Sequence, residues 1–124
     1  MKNIQIRQGD VLLVPVKSLP DSATIECKDE HGRAVLAYGE VSGHAHMVVL
    51  DEPEAVEYRG TPDGARFVNL LKKSLKANLE HGNLTKDGIQ PNTFDHSAIM
   101  LRDGVLQQAF QVEDFGEEVR RVAD

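Results

Sequence analysis

Two histidines, His44 and His46, carry the most chemical promise in this chain, in the run Gly39-Glu40-Val41-Ser42-Gly43-His44-Ala45-His46. Alternate side chains of a β-strand share a face, so a His-x-His pair presents both imidazoles on one side. Imidazole is the commonest metal-ligating side chain near neutral pH. Such a pair offers two nitrogens to one ion without distorting the backbone. Gly39 and Gly43 let the chain turn around the pair, or let another group approach it closely.

The other histidines are His31, His81 and His96. His31, in Asp29-Glu30-His31-Gly32, reads as an exposed turn residue. His96, in Phe94-Asp95-His96-Ser97, stands where a strand begins, and strand ends converge at one mouth of a β-domain. It is the third candidate ligand, and Asp95 can orient its ring from behind. His81 closes a strand expected over residues 75–81 and is the fourth candidate. Three imidazoles plus water make an open site suited to catalysis or ligand exchange, and a fourth closes it. Histidine without thiolate suits a divalent metal, with zinc the first expectation and iron, nickel, copper or manganese the alternatives. Glu40, four residues before His44, shares its side of a regular strand. Glu40 and Glu52 are the candidate general bases, and no other catalytic residue is assigned. Against this stands a plainer reading, in which the histidines are surface groups or hydrogen-bonded core groups.

The elements that must position these residues are short strands. Gln8-Gly9-Asp10 is a turn before the apolar run at residues 11–16, and Pro15 puts the end of that run at an edge or bend. Strands are expected near residues 23–26, 34–38, 44–50 and 55–58, with a strong turn at Gly60-Thr61-Pro62-Asp63-Gly64. Residues 65–80 carry both periodicities. Phe67, Leu71, Leu75 and Leu79 recur every four, while Leu75, Ala77 and Leu79 alternate with polar residues. The alternation predicts strands at 67–71 and 75–81. Residues 82–94 read as a long polar connection. Residues 97–101 and 105–112 read as strands joined by a hairpin turn at Arg102-Asp103-Gly104. The charged tail, 113–124, is the place for one short helix. The pattern predicts a single all-β domain over residues 1–124, either a small barrel or a cupin-like sandwich of short antiparallel strands.

Composition narrows the function classes. The chain has 124 residues, 40% of them hydrophobic, and a formal net charge of −6. An acidic chain is poorly matched to a phosphate backbone, so no nucleic-acid partner is expected. Lys72, Lys73 and Lys76 form the one basic cluster and read as a solvated face. The single cysteine, Cys27, excludes an internal disulfide and fits a reducing compartment. No apolar run approaches the roughly 20 residues that span a bilayer, and residues 1–7 hold no signal core. A soluble, cytoplasmic protein with no membrane partner is expected. Gly-x-Ser-x-Gly and Gly-x-x-x-x-Gly-Lys are absent, which removes the serine-hydrolase and phosphate-loop readings.

Two resemblances follow from the motifs. Gly39, His44, His46, Glu52 and Gly60, followed by Pro91 and His96, resemble the two metal motifs of cupins, with slightly altered gaps and without the glycine between proline and histidine in the second. That resemblance implies His44, His46, Glu52 and His96 as ligands. The stretches Arg7-Gln8-Gly9-Asp10-Val11-Leu12-Leu13, Gly39 to His46, Asp95-His96-Ser97-Ala98-Ile99 and Arg120-Arg121-Val122-Ala123-Asp124 resemble a set of small bacterial and phage proteins of unassigned function. It implies one fold and a shared site at His44, His46, His81 and His96, and no reaction. In that set the later two histidines stand closer together than His81 and His96 do.

Two functions are therefore expected. The first is a small metal-binding β-domain that uses metal-bound water for hydrolysis or isomerisation of a small substrate. The second is a non-enzymatic phage or bacterial accessory module that acts through protein contacts, with structural histidines. Exposed sheet edges make a homo-oligomer compatible with either.

Overall fold

The computed structural model describes residues 5–9, 11–38, 43–71, 77–86, 88–91, 99–101, 104–110, 112–115 and 118–121. They form strands almost throughout. In chain order these are β1 (Ile6–Gln8), β2 (Val11–Val16), β3 (Ile25–Glu26), β4 (Ala34–Tyr38), β5 (His44–Leu50), β6 (Val56–Gly60) and β7 (Arg66–Leu70). Then follow β8 (Ala77–Thr85), β9 (Gly88–Pro91), β10 (Ile99–Leu101), β11 (Gly104–Phe110), β12 (Val112–Phe115) and β13 (Glu118–Arg121). Among the described residues the other regular element is a 3-10 turn at Pro53–Ala55, which proline can open because its missing N–H is not needed there. Among the described residues no helix is long and apolar enough to cross a membrane.

Eleven of these strands build two antiparallel sheets, which makes the all-β sandwich expected from the alternation, and β12 and β13 pair separately. One has the order β1-β2-β11-β7-β6-β3, and the other β10-β8-β5-β4, with β9 also paired to β8. Neither sheet closes on itself among the described residues, so the barrel alternative is set aside. The core lies between the sheets. Val11, Leu13, Tyr58, Val68, Leu70 and Leu106 come from the first sheet, and Ala34, Leu36, Val48, Ala77, Leu79 and Leu101 from the second. Val35, Ala45 and Met47 point the other way and form a smaller cluster with Val49, Leu84 and Ile89 on the outer face.

Three expectations are corrected. The tail holds a hairpin, β12 paired to β13, where a short helix was expected. The strand ending at His81 runs on to Thr85 and turns back as β9 within the expected polar connection. Pairing with β5 across seven positions and with β9 across four holds it extended, although Asn83 and Thr85 are polar and exposed. The Arg102-Asp103-Gly104 turn does not close a hairpin. β10 pairs with β8 while β11 pairs with β2 and β7, so the chain passes from one sheet to the other there.

Candidate functional site

His44 and His46 open β5, and the strand's alternation decides where they point. Val48 and Leu50 of the same strand lie in or against the main core, so His44 and His46 share the inward face. On β8 the inward residues are Ala77 and Leu79, which puts His81 inward as well. The histidines therefore extend the core stripe of both strands toward one end of the sandwich.

The register brings three imidazoles together. His46 lies directly opposite His81, and His44 opposite Asn83. The His46 and His81 rings are 4.7 Å apart between centroids and tilted by 39°. The His44 ring meets His81 edge-on at 5.6 Å. His46 is fully buried at 0% exposure and His81 nearly so at 6%, while His44 is half-buried. The chain enters this strand through Gly43, whose φ of +85° is one that only glycine adopts without strain.

A fourth residue completes the cluster from the opposite sheet. Gln8 of β1, 2% exposed, lies with Oε1 2.8 Å from His46 Nδ1 and donates from Nε2 to the Leu79 carbonyl at 2.8 Å. Gln8 was missed in the sequence reading, although its parity with Ile6, which packs against the core, marks it as inward-facing.

The other candidates are distributed differently. His96 and Glu40 lie outside the described residues, as do Asp95 and the cluster Lys72, Lys73 and Lys76. Glu52 precedes the 3-10 turn, beyond the far end of β5. At about 3.3 Å per residue the strand advances roughly 13 Å from His46 to Leu50, which carries Glu52 away from the imidazoles. His31 is exposed in its turn, as expected, beside Glu30 at 3.5 Å. Among the described residues no group of three or more His, Cys, Asp or Glu side chains converges as a metal cage. With the His46 and His81 rings inclined by 39° to one another, a shared ion requires the rings to turn.

A second buried polar set sits farther along the first sheet. Tyr58, fully buried, donates to Gln108 Oε1 at 2.6 Å, and Gln108 Nε2 donates to the Leu36 carbonyl at 2.8 Å. Arg66 donates to the Tyr58 hydroxyl at 3.3 Å. Burial pushes the Tyr58 hydroxyl above its ordinary value, and the Arg66 guanidinium only partly offsets this. Gln108 thus repeats the role of Gln8, crossing from one sheet to a carbonyl of the other. A groove of about 370 Å³ on the second sheet is lined by Arg33, Met47, Val49, Lys86 and Ile89 among others, and none of the three clustered histidines borders it.

A family model described as a domain of unknown function (DUF8820) matches residues 7–108. No curated protein and no solved structure matches the chain.

Proposed function

From the premise that the chain belongs to the DUF8820 family, domains of unknown function, we propose that it binds one divalent transition-metal ion, zinc first, through the imidazoles of His44, His46 and His81. His96 is the further donor. The observation that supports this is the meeting of three imidazoles from two adjacent strands, two of them buried, in positions where the strand pattern calls for apolar side chains. Burying a polar group costs free energy unless its hydrogen bonds are replaced. Two buried imidazoles beside a half-buried third take places that apolar residues would fill, and ligation of an ion is a function that accounts for them. His81 replaces Glu52 of the cupin-like set, because β8 brings His81 to the pair and β5 carries Glu52 away.

Three imidazoles leave a coordination position for water. Metal-bound water is a nucleophile or base at neutral pH, so hydrolysis or isomerisation is the reaction class that such a site serves. A second reading has its own support. The tilted contact of His46 on His81, together with the Gln8 contact, also suits a metal-free polar plug in a phage or bacterial interaction module.

Metal content of the chain purified without a histidine tag separates the two. The first reading expects about one equivalent of metal, lost in the His44→Ala/His46→Ala double variant. No metal in the wild type refutes it. Where metal is bound, thermal stability that survives chelation assigns the site to function rather than to folding.

A further inference from the structure

We propose that Gln8 is the positioning residue of the histidine site: its amide holds His46 as the Nδ1–H tautomer and so presents Nε2, with its lone pair, as the ligating atom. This rests on the metal reading above and adds to it which atom ligates and what selects that atom.

The argument runs through a chain of obligatory hydrogen-bond roles. A backbone carbonyl can only accept. The Gln8 atom 2.8 Å from the Leu79 carbonyl must therefore be the amide nitrogen, which fixes the orientation of the carboxamide. The other end, facing His46 Nδ1 at 2.8 Å, is then Oε1, which also can only accept. His46 Nδ1 must carry the proton. A neutral imidazole protonated at Nδ1 has its lone pair at Nε2. The assignment starts from a main-chain group whose role cannot change.

The choice of residue follows from the same geometry. Leucine at position 8 would fill the space with neither donor nor acceptor. Glutamate would accept from His46 but could not donate to Leu79 when ionised, and it would bring a charge into a position 2% exposed. Glutamine serves both partners without charge. It also ties the site to the opposite sheet, since β1 and β8 belong to different sheets. Groups that hold the far nitrogen of a ligating histidine fix its tautomer and orientation, and their loss typically weakens metal binding by about 10–100-fold.

Long-range proton–nitrogen correlation spectra of the metal-free full chain read the tautomer directly. The expected result is protonated Nδ1 and unprotonated Nε2 at His46. Zinc affinity, measured by competition with a chromophoric chelator, then compares Gln8→Leu and Gln8→Glu. Gln8→Leu is expected to shift His46 toward the Nε2–H form and weaken zinc about 10–100-fold. Gln8→Glu, which keeps an acceptor at Nδ1, is expected to retain the Nδ1–H form and most of the affinity. If Gln8→Leu does not fold, the wild-type and Gln8→Glu spectra still decide. A chain that binds zinc with His46 in the Nε2–H form, or a folded Gln8→Leu with unchanged tautomer, overturns this inference alone. A chain with Nδ1–H at His46 that takes up no zinc overturns the metal reading, and with it the ligating role of Nε2, and leaves only the tautomer assignment standing.

Discussion

The contact between His46 and Gln8 can be weighed by a double-mutant cycle. His46→Leu removes the ring whose Nδ1 lies 2.8 Å from Gln8 Oε1 and leaves that oxygen buried without this donor. Such a loss costs about 1–3 kcal/mol. Gln8→Leu strips the acceptor from His46 and the side-chain donor from the Leu79 carbonyl, for a similar cost of about 1–3 kcal/mol. In Gln8→Leu/His46→Leu neither partner remains to be stranded, and leucines fill the two inward positions. The double variant should therefore be no less stable than the worse single one, with a coupling of about 1–2 kcal/mol. Urea unfolding in the presence of a chelator reads this without a metal contribution. With a slope of about 1–3 kcal/mol per molar urea, the coupling appears as a midpoint recovery of roughly 0.5–1.5 M. Costs that add to within about 0.5 kcal/mol would refute the contact. With it would go the reasoning that the two sheets meet at this histidine.

Three further expectations concern the frame around the site. Tyr58→Phe leaves Gln108 Oε1 without its 2.6 Å donor and should lower stability by about 1–3 kcal/mol in urea unfolding. Gly60→Ala places a methyl 2.9 Å from Cys27 Sγ, so it should destabilise by about 1–3 kcal/mol, and Cys27→Ala in the same chain should recover most of that in thermal melts. Burial alone would raise the Asp29 carboxyl, but hydrogen bonds from the Arg33 amide and guanidinium and the His31 amide outweigh it and hold it below 3.8. Its contribution is therefore complete above about pH 4 and is lost as pH falls through its folded value, and Asp29→Asn should flatten that part of a melting-temperature profile by an amount worth under about 1 kcal/mol.

What was legible from residues alone was whatever depends on local period. β4 and β5 show as apolar runs separated by glycines, and the shared face of His44 and His46 is a consequence of a period of two. What was not legible depends on partners distant in the chain. Asn83 and Thr85, polar and exposed at the end of β8, read as loop residues until β5 is known to lie beside Asn83 and β9 beside both. The Asp103-Gly104 dipeptide carries a hairpin signal, yet Leu106 pairs with Pro15 and Val68 while Met100 pairs with Asn78, and those long-range registers decide which sheet each strand joins. For the same reason His81 could be named as a candidate from its strand, but its place opposite His46 could not.

The two buried glutamines show where a readable signal was passed over. Gln8 follows Ile6 by two positions and Gln108 follows Leu106 by two, so each holds a place where the alternation calls for an apolar residue. Such a residue must either turn outward or find partners inside, because a stranded buried amide costs about 1–3 kcal/mol. Both found partners of the same kind. Each donates to a carbonyl of the opposite sheet, and each turns its Oε1 to a ring residue, His46 in one case and Tyr58 in the other. The rule drawn from them is that a glutamine at inward parity points across a sandwich to a ring that needs orienting. At Gln108 that ring is tyrosine and the result is a stiffer core. At Gln8 it is an imidazole that lies against two others, and that difference between two otherwise matching bridges makes the Gln8 end of the sandwich the place where the proposed metal reading is to be tested.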